Sequence, residues 1–363
     1  MISIGMSDRI IRIAVDTMGG DNAPDVLVEG SIVALYAYPD VRITLVGDKK
    51  KTEDSLNRFE RSTPPGKSAE FLKSDTLSIR DRIRIVHADE VIEMSDSPAK
   101  AIRTKKNSSV VVANKLCRSG EEDAVISAGN TGAAMASSLL YMGRLKGVMR
   151  PAILGVLPSK KNTIAVLDLG ANPDCKPEHL YQFGVMASIY VSNVLSYSNP
   201  RVGLLNIGEE RTKGNELTTN AYGLFEKSDL NFIGNVEGRD VFEGIADVVV
   251  CDGFVGNVLL KVSESVFNLF THKLKKKISD KFLTKAAAMI LKPVFSEIKL
   301  QMTPEDYGGA QLLGVDGVSI ICHGNSSPIA IKNAVRVARH LVLEEVNDQI
   351  KSEISKKSSE RNE

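Results

Sequence analysis

Short apolar runs recur along the chain, and a turn rich in Gly, Asn or Asp and then a helical pattern follow each one. The runs are Ile10–Val15, Ile43–Val46, Ile83–Val86, Ala124–Ser127, Ile164–Leu167, Val202–Leu205, Asp247–Cys251 and Val318–Cys322. Strand-length runs that alternate with helices are typical of a parallel sheet covered by helices on both faces. The sequence therefore predicts an α/β fold, a three-layer α/β/α sandwich with a mainly parallel sheet.

Three segments interrupt this alternation. Residues 49–80 are charged and carry Pro64-Pro65-Gly66, which predicts a surface insertion. A helical hairpin is predicted near residues 264–303, because Pro293 ends a helical pattern there. Residues 351–363 are rich in Ser, Lys and Glu, so we expect a disordered tail. The rest, residues 1–350, is predicted to be a single α/β domain.

The composition excludes several classes of protein. Lys plus Arg number 46 and Asp plus Glu 45, so no basic excess over the whole chain favours nucleic-acid binding. The four cysteines have no CxxC spacing, which argues against a zinc site and a disulfide framework and fits a reducing compartment. The amino terminus lacks the pattern of a signal peptide, and no window is apolar enough for a membrane span. We expect a cytosolic protein that meets a membrane at most by its surface.

Five turns at strand ends are unusually polar and rich in glycine. They comprise residues 16–24, 127–132, 168–172, 206–216 and 252–257. Ligands of open parallel sheets bind beyond the carboxyl ends of the strands, so we expect these turns to meet at one edge. Any one of them is also explained by the needs of a tight strand–helix turn. Their joint occurrence favours a binding site. Residues 127–132 lead directly into a helix, and the N–H groups at the start of a helix bind small anions.

The common catalytic motifs are absent from the sequence. There is no GxxxxGK[ST], GxGxxG, GxSxG or HExxH, so neither a nucleotide site, a serine nucleophile nor a metal is indicated. Cys251 and Cys322 are predicted to be buried apolar residues, whereas His323 follows a strand and is a candidate. Lys213 lies between Glu210 and Glu216; it either holds a phosphate dianion or is balanced by these acids.

Residues 272–299 contain eight lysines and only two acidic residues. On a helix, Lys281, Lys285 and Lys292 share one face, and the apolar residues Leu283, Ile290 and Leu291 lie broadly opposite. One interpretation is an amphipathic helix packed on its own core with a solvated lysine face. The other is a surface for anionic lipid or for an acidic protein.

Several long motifs resemble the PlsX family of bacterial phosphate acyltransferases. They are IRIAVDTMGGDNAP, ISAGNTGAAMAS, LDLGANPDCKPEHL, GLLNIGEERTKGNELT, NFIGNVEGRD, VVCDGFVGNVLLK and HGNSSPIAI, within a match over about residues 10–345. The resemblance implies an isocitrate or isopropylmalate dehydrogenase-like fold. It also implies transfer of a long acyl chain from acyl carrier protein to inorganic phosphate, which yields acyl phosphate for phospholipid synthesis.

The resemblance also implies roles for residues in the turns. Lys213 would hold phosphate, Asn257 the thioester carbonyl, and His323 would protonate the leaving thiolate. The expected substrate-binding residues are Asp16, Gly19, Gly20, Asn130, Thr131, Gly132, Asp168, Asn172, Glu210, Asp252 and Gly256. Among these, the three aspartates are expected to orient donors rather than bind the anion, since like charges repel. Attack by phosphate itself requires no covalent enzyme intermediate, metal or cofactor.

The partners implied are acyl carrier protein, inorganic phosphate, an anionic membrane surface, a second copy in a homodimer and a downstream glycerol-3-phosphate acyltransferase. Nucleic acid is not among them. Three alternatives stay open at this point. They are a phosphate acetyltransferase-like enzyme acting on a short-chain acyl-coenzyme A, a nicotinamide-dependent dehydrogenase, and a non-catalytic scaffold at the membrane surface.

Overall fold

A computed structural model of the chain describes residues 9–60, 79–279, 288–289, 291, 293–294 and 307–360. The chain divides into two compact units. Unit 1 comprises Met1–Pro151 and Tyr307–Glu363, and unit 2 comprises Ala152–Asp306. The single domain expected over residues 1–350 stays a prediction.

The described residues form the following elements in chain order. They are β1 (Ile11–Asp16), α1 (Asp25–Ala37), β2 (Val41–Gly47), α2 (Lys49–Glu60), a 3-10 helix (Ile79–Arg82), β3 (Ile83–His87), α3 (Pro98–Thr104), α4 (Ser109–Arg118), β4 (Ala124–Ser127), α5 (Thr131–Tyr141), β5 (Ala152–Pro158), β6 (Thr163–Leu167), α6 (Pro177–Val194), β7 (Val202–Leu205), α7 (Glu216–Glu226), β8 (Phe232–Val236), α8 (Asp240–Glu243), β9 (Val248–Val250), α9 (Gly253–Ser279), β10 (Ala310–Leu313), β11 (Val318–Ile321), α10 (Pro328–Leu343) and α11 (Val346–Glu360). No described helix is long and apolar enough to cross a membrane.

Unit 1 is built on strands in the order β3-β2-β1-β4-β11-β10. The first five run parallel, and β10 is antiparallel to β11. Every residue of β1 except Arg12 is buried, as expected for a central strand whose two faces are both covered. One group of helices packs α1 on α10, and another packs α3 and α4 on α5. The strand ends of this sheet position the first set of candidate residues.

Unit 2 is built on strands in the order β5-β6-β9-β7-β8. The last four are parallel, and β5 forms an antiparallel pair with β6. The short strand β9 is fully buried Val-Val-Val, which confirms a central strand. The long helix α6 covers this strand and β6. Its side chains are buried over most of its length, including Phe183 and Tyr190.

Each of the eight apolar runs forms a strand, and the prediction of an α/β fold with a mainly parallel sheet is confirmed. Three strands were missed: β5, β8 and β10. β5 and β10 are followed by another strand rather than by a helix, so a strand-then-helix pattern does not detect them. Gly234 and Asn235 interrupt the apolar run of β8.

The expectation of a disordered tail from residue 351 is wrong for residues 351–360, because α11 continues to Glu360. Val346, Ile350 and Ile354 recur every four residues and are buried, so the polar composition hides one apolar face. The predicted insertion begins with α2, whose Leu56 is buried, and residues 61–78 lie outside the described residues. The predicted hairpin begins inside α9, and most of the remainder also lies outside them.

Candidate functional site

Two of the predicted turns, residues 16–24 and 127–132, meet the turn after β11 at one edge of the sheet in unit 1. Asp16 at the end of β1 is in register with Ser127 at the end of β4, and Ser127 with Ile321 of β11. The turns that follow these three parallel strands are therefore neighbours. The Asp21 amide donates to the carbonyl of Gly324 at 2.8 Å, which joins the first turn to the third.

The carboxylate of Asp16 lies beneath these turns and is only 3% exposed. The Ser127 hydroxyl donates to it at 2.7 Å and the Met18 amide at 3.2 Å. Burial raises the pKa of the Asp16 carboxyl, and hydrogen bonds from Ser109 and Ser127 oppose that shift. The sequence analysis expected Asp16 to orient donors, and its contacts fit that role. Ser109 and Ser127 were not assigned roles, because nothing in the sequence marks a serine as buried against a carboxylate.

The first two turns touch through their backbones at Gly19 and Gly129. A Cβ on Gly19 would lie 2.6 Å from the amide nitrogen of Gly129, so only glycine allows this approach. The Gly129 amide itself donates to the Ser127 hydroxyl at 3.2 Å. This backbone donor is therefore not available to a phosphate. A small hollow lies here, lined partly by Asp16, Ser109 and Asn130.

Asn130 is the N-cap of α5. Its side-chain oxygen accepts the Ala133 amide at 3.0 Å, and its Nδ2 donates to the carbonyls of Met94 and Asp96 at 3.1 and 3.2 Å. The carboxamide therefore has protein partners for both its ends, and its contact with phosphate stays a prediction. The amides of Thr131 and Gly132 have no acceptor among the described residues, and they open an 11-residue helix. These free donors are what an anion requires.

His323 lies exposed in the third turn of unit 1, and its Nδ1 accepts the Asn325 amide at 3.4 Å. Gly20 has φ of +103°, and a Cβ there would lie 2.9 Å from the carbonyl oxygen of Gly324. Gly20 was expected to bind substrate, and this contact explains why a glycine is required at that position. His323 is accessible at the same edge as Asp16, and its role as an acid stays a prediction.

The other predicted turns meet at one edge of the sheet in unit 2. Leu167 of β6 is in register with Val250 of β9, and Val250 with Leu204 of β7. The turns after these three parallel strands hold Asp168, Asp252 and Lys213. Polar turns thus gather at a sheet edge within each unit, and the expectation that all five meet at one edge stays a prediction.

Asp168 is fully buried, and its carboxylate accepts four hydrogen bonds. Oδ1 accepts the amides of Ile153 and Ala171 at 3.0 and 3.1 Å. Oδ2 accepts the amide and the Nδ2 of Asn172 at 2.7 and 2.9 Å. Burial raises the pKa of the Asp168 carboxyl, while these hydrogen bonds lower it. The residue holds its turn in shape, and Asn172 acts as part of that support.

The start of α9 packs directly on the Asp168 turn. The Gly253 amide donates to the Asn172 carbonyl at 2.8 Å, and any side chain on Gly256 would overlap the Asp168 carbonyl oxygen. Asp252 accepts the Val255 amide at 2.9 Å and so caps the helix. These contacts fix the backbone on either side of Asn257.

Asn257 is exposed, and its side chain has no hydrogen-bonding partner among the described residues. A Cβ on Gly170, whose φ is +124°, would lie 3.5 Å from the Cβ of Asn257, so the amide lies over the Asp168 turn. The neighbouring Cys251 is buried, and burial raises the pKa of its thiol far above the usual value. Asn257 is therefore free to donate a hydrogen bond, whereas Cys251 is unsuited to act as a nucleophile.

Lys213 lies exposed on a turn that other side chains hold. The Asn206 Nδ2 donates to the Lys213 carbonyl at 3.0 Å, and the Lys213 amide donates to the Glu210 carbonyl at 3.0 Å. Its ammonium forms no ion pair with Glu210, Glu216 or any other described residue. The interpretation in which neighbouring acids balance this lysine has no ion pair to support it among the described residues, and the role of Lys213 stays a prediction.

Asn235 is a buried residue that the sequence analysis did not assign. Its Nδ2 donates to the Glu210 carbonyl at 2.9 Å, which ties β8 to the Lys213 turn. It lies in the motif NFIGNVEGRD, where no strand was predicted, so the sequence gave no signal of this contact.

Of the predicted membrane or carrier-protein residues, only Leu291 is described, and it is 46% exposed. Lys281, Leu283, Lys285, Ile290 and Lys292 lie outside the described residues. Among the residues that the structure covers, no cluster of three His, Cys, Asp or Glu side chains is arranged to hold a metal ion.

Comparisons with known proteins give both a family and a fold. The profile of a family described as "Fatty acid synthesis protein" matches residues 11–349. The phosphate acyltransferase of Pelotomaculum thermopropionicum is 48% identical over 344 residues, which cover 95% of each chain. That of Desulfitobacterium hafniense is 48% identical over 345 residues, 95% of this chain and 98% of the relative.

Two solved structures resemble the fold at low sequence identity. A phosphotransacetylase from Streptococcus pyogenes has a TM-score of 0.58 and 12% identity, covering 92% of this chain and 94% of the other. A branched-chain phosphotransacylase from Enterococcus faecalis has a TM-score of 0.55 and 14% identity, covering 92% and 99%.

The four donors on Asp168 generate a stability prediction. In Asp168→Asn, one carboxylate oxygen becomes an NH₂ group that faces two N–H donors, so the free energy of unfolding should fall by about 2 kcal/mol or more. Urea unfolding measures this loss. Asp174→Asn, an exposed change in the same turn, should stay within about 0.5 kcal/mol of the parent. An Asp168→Asn protein as stable as the parent would show that the carboxylate does not hold the turn.

Proposed function

We propose a reaction for this chain from one established premise, that it belongs to the PlsX family of phosphate acyltransferases. The chain is thus an enzyme of acyl transfer to phosphate. We propose that its donor is a long-chain acyl thioester of acyl carrier protein. The products are acyl phosphate, for phospholipid synthesis, and the free carrier thiol.

One observation carries the assignment of the phosphate site. The Lys213 ammonium is exposed, has no carboxylate partner among the described residues, and lies on a turn fixed by Asn206 and Asn235. A surface lysine without a partner is ordinary, but the backbone that carries this one is held at two points, so the place where its side chain begins is fixed. Such a compact charge suits a phosphate dianion. We assign Lys213 to phosphate on this basis.

The proposed step needs few groups. A phosphate oxygen attacks the thioester carbonyl carbon, a C–O bond forms, and the C–S bond breaks with its electron pair leaving on sulfur. Asn257 donates to the carbonyl oxygen as negative charge develops there, because its amide is free and its backbone is fixed. The thiolate takes up a proton, the role that the resemblance gives to His323. In unit 1, the free amides of Thr131 and Gly132 give the start of α5 a positive potential.

The three aspartates support these groups without touching the substrate. Asp168 and Asp252 hold the turn and the helix start around Asn257, and Asp16 holds the turns next to α5. Their negative charge is screened from an incoming phosphate by the N–H groups and hydroxyls that they accept. This arrangement agrees with the expectation that the aspartates orient donors.

The competing donor is a short-chain acyl-coenzyme A. The structural neighbours are phosphotransacylases, but at 12–14% identity their likeness concerns the fold alone. Rates with palmitoyl-acyl carrier protein and acetyl-coenzyme A, measured side by side, separate the two. Faster phosphorolysis of acetyl-coenzyme A would overturn the long-chain proposal.

A homodimer is the second part of the proposal, and α9 supports it. Phe254, Val258, Val262, Val266, Leu269 and Phe270 are 48–65% exposed and lie on one face of the helix. The charged residues in this stretch, Lys261 and Glu264, pair with each other at 2.9 Å on the other face. A helix that binds lipid carries many basic residues on its polar face, which this part of α9 lacks. We therefore assign the face to a second copy of the chain.

The lysine-rich segment that follows is assigned to anionic lipid at the membrane surface. Lys273, Lys275, Lys276 and Lys277 at the end of α9 are exposed. Leu291 adds an exposed apolar side chain. Peripheral attachment of this kind would bring the product close to a membrane-bound glycerol-3-phosphate acyltransferase.

Lys213→Ala tests the phosphate site. One well-placed electrostatic group is worth about 3 kcal/mol, so the rate of carrier thiol release should fall about a hundredfold. Lys227→Ala, an exposed lysine in the same unit, should keep the parent rate. Release is measured with and without inorganic phosphate, on which it should depend fully. Full activity of Lys213→Ala would show that the anion binds elsewhere, and phosphate-independent release would indicate a thioesterase.

Val266→Asp tests the homodimer. Burying an unpaired carboxylate in an apolar interface is costly, so light scattering should show the mass fall from twice 39.4 kDa toward that of one chain. Asn268→Asp introduces the same group on the same helix outside the apolar face and should leave the mass unchanged. A dimeric Val266→Asp protein, or a monomeric parent, would contradict this assignment.

A further inference from the structure

Residues 97–118 form a second basic segment, distinct from the lysine-rich end of α9. They contain six Lys or Arg residues, and they contain no Asp or Glu. The segment runs through α3 and α4 of unit 1. Such an excess in a chain of net charge +1 creates a local positive field.

Half of these charges are already occupied by protein groups. Lys105 pairs with Asp96, and Arg118 pairs with Asp316 at 3.3 Å. Lys115 donates to the Lys106 carbonyl at 2.8 Å and lies over the ring of Tyr141.

The remaining charges are Lys100, Arg103 and Lys106, which we call the α3 basic patch. All are exposed, and none forms an ion pair with any described residue. The exposed residues Ala99, Thr104 and Asn107 lie between and beside them, and the large apolar side chain of Ile102 is buried. A cationic surface without a partner in its own unit is suited to an external anionic surface.

The α3 basic patch lies beside the candidate site of the same unit. Helix α3 packs on α5, and a Cβ on Gly132 would lie 2.7 Å from the ring of Pro98, the first residue of α3. The Asn130 side chain, which caps α5, donates to the carbonyl of Asp96 at 3.2 Å. A molecule held on the patch is therefore next to the turn that opens α5.

We propose that the α3 basic patch is the docking surface for an acidic carrier protein that presents the acyl thioester. The inference rests on the proposed function and adds the surface that recognises its donor. Exposed ion pairs contribute about 0.2–1 kcal/mol each, so three charges guide encounter and orientation rather than provide tight binding. Weak docking suits a substrate that must leave after each turnover.

Two other classes of anionic partner fit the patch less well. A lipid surface requires apolar side chains that insert beside the charges, and the one large apolar residue between them, Ile102, is buried. Single-stranded nucleic acid requires aromatic side chains for stacking, and residues 97–118 contain none. A folded acidic protein needs only complementary charge.

The double variant Lys100→Glu/Arg103→Glu tests the docking surface. With palmitoyl-acyl carrier protein, KM should rise at least tenfold while kcat stays within twofold of the parent. With palmitoyl-coenzyme A, which lacks the carrier protein, both constants should stay unchanged. Lys351→Glu/Lys356→Glu is the matched control, since it makes the same change in charge at exposed residues of α11. Raising the salt concentration should increase KM for the carrier in the parent more than in the variant.

The outcomes separate the two proposals. An unchanged KM for the carrier in Lys100→Glu/Arg103→Glu overturns the docking surface alone, and so does an equal rise in the α11 control. A loss of binding to anionic vesicles or to single-stranded DNA without a change in KM also overturns it. A parent enzyme that does not release thiol from the carrier overturns the proposed function and the docking surface with it.

Discussion

Buried carboxylates at the ends of parallel strands hold the turns on which the candidate groups lie. Asp168 accepts four hydrogen bonds from its own turn and from β5, and Asp16 is bonded by Ser127 and Met18. Burial raises the pKa of both carboxyls, which is the cost of removing their charge from water. The cost is offset only while the donors stay in place, so the carboxylates select one conformation of each turn.

This constraint explains why the exposed groups need few partners of their own. Lys213 and Asn257 have side chains without protein partners, yet their backbones are fixed by Asn235 and by the contact of Gly256 with Asp168. A donor held in position before the substrate arrives requires little reorganisation as charge develops on a carbonyl oxygen. Phosphate supplies the nucleophile, so the protein contributes charge and position.

Much of the fold was predictable, because each of the eight apolar runs has the length of a strand and forms one. The strands β5 and β10 were not predicted, because the pattern assumes a helix after every strand and each of these is followed by another strand. The helix α11 was not predicted, because its three buried apolar residues are few among many polar ones. The turns were predictable from glycine, but the buried roles of Ser127 and Asn235 depend on contacts distant in sequence. The α3 basic patch escaped because the sequence does not show that Lys105 pairs with Asp96 whereas Lys100, Arg103 and Lys106 stay exposed.

Fixed turns leave Lys213, exposed on a held backbone, free to bind an inorganic anion. Crystals of the enzyme soaked in phosphate test it most directly. The account predicts a phosphate oxygen within about 3.2 Å of the Lys213 Nζ, with the hydrogen bonds of Asp168 unchanged. A well-ordered phosphate bound away from Lys213, with that side chain still in solvent, would contradict the account.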